Sequence, residues 1–301
     1  MKRALWLAAA LGLSITTTAL AQQGPVPIFG LVELSGTGTT SGTNFDNGIK
    51  LAVKEINASG GILGRKIEYT SLDTQSQPQV AKALAQKALD QNAYVIMGPV
   101  FSGSILVSMA ETRRAEVPNF TGGEAAAITK QGNPYIFRTS FTQDTAMPKV
   151  ARYLKDTVKA KTVSIIWVNN DFGKGGLDTM KKALDAQGIK VAAEISTDPG
   201  QLDFSGAVLK AKQANADAIF VYTNEEESAR ALRELRKQGY DKPIVGETTL
   251  TSQKVIELAG DAANGATAHV GLTADATQAG IKKYNADFPK EFGGSGQTVP
   301  E

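Results

Sequence analysis

Short apolar runs and longer amphipathic stretches alternate along most of this 301-residue chain. The first run, VPIFGLVEL (Val26–Leu34), is bulky throughout, the pattern of a strand buried on both faces of a parallel sheet. The polar, glycine-punctuated SGTGTTSGT that follows reads as a loop. A helix is predicted over NFDNGIKLAVKEINASGG: Ile49, Val53 and Ile56 share one face, Leu51 and Ala52 widen the stripe, and Gly60-Gly61 ends it. KIEYTSLD predicts a second strand, PQVAKALAQKALDQ a helix with Pro78 in its first turn, and AYVIM (Ala93–Met97) a third strand. That strand spills into the small-residue turn GPVFSGS (Gly98–Ser104), and ILVSMAETRR continues as a helix.

The rhythm resumes beyond a break. FRTSFTQDTAMP (Phe137–Pro148) leads into the helix KVARYLKDTV and the strand TVSIIWV. Helix GGLDTMKKALDAQG, strand KVAAEIS, helix FSGAVLKAKQAN, strand DAIFVYT, helix EEESARALRELRKQG and strand PIVGE follow in order. Two successive blocks of strand–helix alternation predict an α/β protein of two lobes, each with a mostly parallel sheet. Ligands of such sheets gather beyond the carboxyl ends of the strands. The turns to inspect are therefore 35–43, 98–104, 121–124, 169–176, 222–227 and 246–250.

The N-terminus stands apart. Lys2 and Arg3 precede an apolar run from Ala4 to about Ile15, and Ala19-Leu20-Ala21 supplies a small-x-small cleavage site. This is the layout of a secretory signal peptide over residues 1–21, cleaved after Ala21; the run is too short to span a membrane comfortably. A buried N-terminal helix is the alternative. Without Lys2 and Arg3, 30 basic residues face 30 acidic ones, so the mature chain is formally neutral. A neutral chain without basic blocks argues against a nucleic-acid partner and against a polybasic membrane anchor. The chain has no cysteine, which excludes thiolate metal sites, a cysteine nucleophile and a lipid-modified N-terminal cysteine. A core of this size needs no disulfide staples.

The turns limit the chemistry further. GPVFSGS has Ser104 where a phosphate loop needs lysine, and its Phe-Ser-Gly lacks the glycine-flanked serine of a nucleophile elbow. The single histidine, His269, cannot form a metal cluster and reads as an ordinary strand or surface residue. No metal and no cofactor is expected. What the turn can do is hold a small anion, because N–H groups at a helix start are unpaired and serine hydroxyls add donors. Equally, Ser102 or Ser104 merely caps its own helix. In FTGGEAAAIT, Gly122 and Gly123 allow close approach of a ligand and Glu124 adds a carboxylate; an anion donor beside a carboxylate suits a zwitterion. The alternative places Glu124 in a helix's first turn, facing water. Glu225, Glu226 and Glu227 read as a solvated helix start capped by Asn224. Glu247 and Thr248 contact a ligand or belong to a plain loop.

With these turns laid out, the mature chain resembles the branched-chain-amino-acid-type periplasmic substrate-binding proteins of ABC importers, the leucine/isoleucine/valine-binding relatives. The likeness rests on LSGTGTTSGTNFDNGIKLAVKEINASGGILGRKIEYTSLDTQSQP, GPVFSGS, PNFTGG, YIFRTS, NNDFGKGG and DFSG, in that order, from Gly24 to about Leu272. The resemblance implies a type I periplasmic-binding-protein fold: two Rossmann-like lobes joined by a hinge and closing over one ligand. Lobe I spans 22–140 and lobe II 141–269; residues 270–301 return to lobe I, a segment truncated relative to the family, which continues well past the position of Glu301. By the same resemblance, Ser102 stands where the family's serine holds the α-carboxylate. Gly122, Gly123 and Glu124 occupy its Ala-Ala-Thr stretch, Phe172 the place of an aromatic packed on the ligand backbone, and Glu247 or Thr248 that of the acid pairing with the amine. Ser41 and Asn224 replace aromatics, and Glu124 replaces a neutral hydroxyl residue, so a more polar pocket is expected. The implied role is not enzymatic: a periplasmic monomer that carries an amino acid to membrane permease subunits. A receptor for amides or aromatic carboxylates, and an exported hydrolase using Ser102, are the alternatives.

Overall fold

Two five-stranded sheets, each with all its neighbouring strands parallel, organise the computed structural model, which describes residues 24–273 and 275–293. The expected signal peptide lies outside the described residues. The first sheet is ordered β2-β1-β3-β4-β5, with β1 (Val26–Val32), β2 (Ile67–Asp73), β3 (Val95–Met97), β4 (Asn119–Thr121) and β5 (Ile136–Arg138). The second is ordered β10-β9-β8-β6-β7, with β6 (Thr162–Val168), β7 (Lys190–Thr197), β8 (Ala218–Tyr222), β9 (Ile244–Gly246) and β10 (Ala266–Ala268). Counted from its own first strand, each sheet has the same order, 2-1-3-4-5. Connections therefore reverse direction between β1 and β3 in one sheet and between β6 and β8 in the other. The crevice beyond the strand ends at such a reversal is where doubly wound folds bind ligands.

Burial follows from the sequence. Every residue of β8 is buried, as a central strand covered on both faces requires. On one face lie Phe204, Val208, Leu232 and Leu235; on the other Met147, Leu154, Leu177 and Leu184. In the first lobe, Phe29, Leu31 and Ile96 pack with Ala85 and Ala88 of α2 (Pro78–Asp90), while Ile105 and Met109 of α3 (Ser102–Arg114) pack with Ile128 and Ile136.

Several helices begin earlier than their apolar patterns indicate, and two show why. Helix α1 (Thr39–Ala58) starts inside the expected loop. Gly42 permits this: a Cβ there would lie 2.2 Å from the carbonyl oxygen of Glu33, so only glycine lets the first turn press onto the chain leaving β1. Helix α4 (Gln143–Asp156) starts six residues before Lys149, because Thr142 Oγ1 accepts the Thr145 N–H and Thr145 Oγ1 accepts the Thr142 N–H, both at 3.2 Å. Pro148 sits early in α4, where one missing donor leaves the later turns intact. The remaining helices are α5 (Asp171–Ala186), α6 (Ser205–Gln213), α7 (Glu225–Lys237), α8 (Gln253–Ala259) and α9 (Ala279–Phe292). The chain passes between the lobes after β5 and again before α9. Helix α9 rests on α1 of the first lobe through the ion pairs Lys54–Glu291 and Lys283–Glu55.

Candidate ligand site between the lobes

A cavity of about 810 Å³ runs from the space between the two reversal points along the inner face of α1, where Ile49, Val53 and Ile56 line it with Ile28, Ile67 and Tyr284. The turns after β1, β3 and β4 wall it from the first lobe, and those after β6, β8 and β9 from the second. The lobes touch across it. Tyr222 Oη, at the end of β8, donates to Glu124 Oε2 after β4 (3.2 Å), and Thr40 Oγ1 of α1 donates to Glu226 Oε1 of α7 (3.3 Å). A Cβ on Gly103 would lie 2.8 Å from Asp171 Oδ2, so α3 and α5 meet end to end.

The first-lobe wall is built around the start of α3. Its intrahelical ladder opens with the Ile105 N–H on the Phe101 carbonyl (3.0 Å), so the N–H groups of Ser102, Gly103 and Ser104 precede the ladder at the positive end of the helix dipole. All three residues line the cavity. Ser102 Oγ accepts the Ala125 N–H (3.2 Å), which leaves its own proton to donate, and the buried Ser104 Oγ has no partner among the described residues. The turn itself is not wholly free, contrary to the expectation of unpaired N–H groups along it. Glu33, fully buried at the end of β1, accepts the N–H groups of Val100 and Phe101, each at 3.1 Å. Burial pushes its carboxyl up to about 7. The protein thus places one carboxyl of its own on the inner side of the turn, while the Asp171 carboxylate of the second lobe lies beside Gly103 at the helix start.

Acids line the cavity from both lobes. Glu124 lies in the first-lobe wall, next to the Ala125 N–H that bonds Ser102 Oγ, and Asp171 and Glu225 come from the second lobe. Among the described residues, the lining includes no lysine, arginine or histidine. Glu225 is only 3% exposed, which corrects the expectation of a solvated glutamate run; burial pushes it up to about 7. Glu227 is buried too. Its carboxylate accepts the Asn224 N–H (3.2 Å) and the Gly200 N–H (2.6 Å), so the helix start is tied to the turn after β7. Glu124 does not face bulk water: burial, with Glu247 beside it, holds its carboxyl well above the usual carboxylate range.

Of the nine sequence-derived candidates, Ser41, Ser102, Gly122, Gly123, Glu124, Phe172, Asn224 and Thr248 all line the cavity. Glu247 does not. It is fully buried, with Oε1 accepting from Thr248 Oγ1 (2.7 Å) and lying 3.3 Å from His269 Nδ1. His269 is accordingly no ordinary surface residue. Phe172 reaches the cavity stacked on Tyr222, ring centroids 4.2 Å apart. Sequence reasoning did not single out Tyr222, Gln143, Glu225, Asp171 or Glu33. Gln143 Nε2 donates to Tyr222 Oη (3.0 Å) and to the Phe172 carbonyl (2.8 Å), which fixes both rings. The available signal was position: Glu33 is an acid inside an apolar strand run, and Tyr222 and Asp171 flank the reversal point of the second sheet.

Residues 25–300 fit the family model described as periplasmic binding protein, and the chain belongs to that family. It is 28% identical over 236 residues to a Leu/Ile/Val-binding protein of Rhizobium johnstonii, covering 78% of this chain and 64% of the relative. The chain thus spans less than two thirds of that relative's length. Among solved structures, it is similar to the branched-chain amino acid transporter substrate-binding protein of Streptococcus pneumoniae in complex with isoleucine. That likeness has a TM-score of 0.84 at 25% identity, covering 91% of this chain and 79% of that one. It is also similar to a solute-binding protein of an ABC transporter from Rhodopseudomonas palustris in complex with 3,4-dihydroxybenzoic acid, with a TM-score of 0.80 at 26% identity over 89% of this chain and 74% of that one. The family is one of binding proteins.

Proposed function

We propose that the chain is the exported receptor of an ABC importer, a monomer that closes its lobes over an amino acid and presents it to membrane permease subunits. The observation that carries the reading is the polarity of the cavity. The N–H groups at the start of α3 and the hydroxyl of Ser102 suit a carboxylate; Glu124, beside them in the turn after β4, and Glu225 of the second lobe suit an ammonium. Each hydrogen bond to a charged ligand group contributes roughly 1.5–3 kcal/mol. A few of these, with the rings of Phe45, Phe141 and Phe172 against the ligand, support micromolar affinity, about −8 kcal/mol. The acid-only lining speaks against a plain aromatic carboxylate, which brings no cation to offset it. The Leu/Ile/Val-binding relative and the isoleucine-bound neighbour support an amino acid with an aliphatic side chain, and Glu225 and Asn224 in the wall favour the more polar members of that class.

The test is mass spectrometry of small molecules released on denaturing the purified protein, followed by titration of the stripped protein. Trp167, near the end of β6, is the one tryptophan beyond the expected signal peptide and serves as the fluorescence probe. An α-amino acid that co-purifies and shifts Trp167 emission on re-addition is the expected result. No response to any amino acid or small carboxylate overturns the receptor reading.

A further inference from the structure

Glu225 opens α7 and lines the cavity, yet the residue is buried. Among the described residues no other group donates to its carboxyl; its own backbone N–H is the one donor in reach. Its neighbours in the run are provided for. Glu226 Oε1 accepts from Thr40 Oγ1 of the first lobe (3.3 Å). Glu227 accepts the N–H groups of Asn224 (3.2 Å) and Gly200 (2.6 Å). Of the three, Glu225 is the one that is buried, faces the cleft and has no partner from another residue.

An acid in a helix's first turn needs no partner while water surrounds it, because solvent and the helix dipole support the charge. A buried carboxylate needs a cation or several donors, and without them it takes up a proton. Burial pushes the Glu225 carboxyl up to about 7, the behaviour of an acid without its cation. The cavity lining, among the described residues, holds no lysine, arginine or histidine that could serve. The cation therefore has to arrive with the ligand.

The α-ammonium of an amino acid does not fill this need. The N–H groups at the start of α3 and the Ser102 hydroxyl take the carboxylate. Glu124, in the turn whose Ala125 N–H bonds Ser102 Oγ, is the acid nearest to hand for the ammonium. Both ends of the α-amino acid are then met within the first lobe. Glu225 still faces the cavity from the second, with the negative charge of Glu124 and Glu226 turned towards it. The lining also offers the rings of Phe45, Phe141 and Phe172. An alkyl stem packs on such rings while its charged end reaches an acid.

We propose that Glu225 is the side-chain specificity residue of the cleft and takes the terminal cation of a basic amino acid of the lysine and ornithine class. This rests on the reading of the cavity as an amino-acid site and narrows it, to an aliphatic stem that ends in an ammonium.

Titration calorimetry of the stripped protein with L-lysine, L-norleucine, L-glutamine and L-isoleucine tests the assignment. Norleucine keeps an unbranched alkyl stem without the cation, and glutamine offers a neutral donor. L-Lysine should bind at least about tenfold more tightly than any of the other three, the value of one hydrogen bond between charged groups. Glu225→Gln, checked for folding by its melting curve, should bring the lysine and norleucine affinities together. Norleucine, glutamine or isoleucine binding the wild type as tightly as lysine overturns the cation site and leaves the amino-acid reading intact; that comparison needs no variant. A lysine preference that survives in folded Glu225→Gln overturns the assignment to Glu225. Binding of none of the four overturns the cation site and goes against the amino-acid reading as well.

Discussion

Tyr222 Oη donates to Glu124 Oε2 across 3.2 Å, tying a strand end of the second lobe to a turn of the first. The phenol is buried against Gly176, where a Cβ would sit 2.0 Å from its ring. Gly176 is thus what allows the ring to lie flat under Phe172 with its hydroxyl at the cleft.

Tyr222→Phe should cost about 1–3 kcal/mol, because Glu124 loses its donor and Gln143 one of its two acceptors. Gly176→Ala should cost a similar amount by pushing the ring out of place. Since both act on the same hydroxyl, the double variant should lose little more ligand affinity than either single one. Calorimetric affinities and denaturant midpoints of the three variants check this; additive losses in affinity would separate the ring's position from the bond to Glu124.

Stability should fall as pH rises from 5 to 8. Glu33, Glu225 and Glu247 are each pushed from the usual carboxylate range to about 7 in the folded protein. Between their unfolded and folded values the native state binds more protons than the unfolded chain, so each proton lost on raising the pH costs stability. Asp73 and Asp217, held low by their hydrogen bonds, lose their contribution only under more acidic conditions. His269, held towards neutral, has the opposite sign but is one group against five, since Glu124 and Glu227 are raised as well. Melting curves should give a Tm at pH 5 higher than at pH 8 by at least about 5 °C. Glu33→Gln and Glu225→Gln should each flatten that profile; a Tm that rises across this range would contradict the burial of these acids.

Ser102→Ala should lower ligand affinity by about tenfold to a hundredfold, the value of one hydrogen bond to a charged group. The fold should survive, since among the described residues the Ser102 hydroxyl loses one protein bond, that from the Ala125 N–H. Titration calorimetry beside a melting curve separates the two effects. Unchanged affinity would take Ser102 out of the site.

Much of the fold was legible because central strands such as TVSIIWV and DAIFVYT are apolar on both faces, and helices such as α7 carry a clear apolar stripe. The starts of α1 and α4 were not, because a glycine contact with Glu33 and a Thr142–Thr145 capping pair set them rather than hydrophobic period. The cavity's first-lobe wall could be read from Ser102 and Gly122-Gly123, which lie next to one another in two strand-end turns. Its acidic side was misread, since three consecutive glutamates on a helix start look solvated until another lobe covers them. That Glu247 is buried outside the cavity lining rather than beside the ligand depends on how the lobes meet, which local sequence does not encode.

The central claim is that the cleft holds an ammonium against Glu124 and a carboxylate at the start of α3. The most direct measurement is paired titration calorimetry of the stripped protein with L-amino acids and with the same carboxylic acids lacking the amino group. The account predicts that at least one amino acid binds with micromolar affinity and that its deaminated counterpart binds at least about a hundredfold more weakly. A deaminated acid that binds as tightly as its amino acid would contradict it.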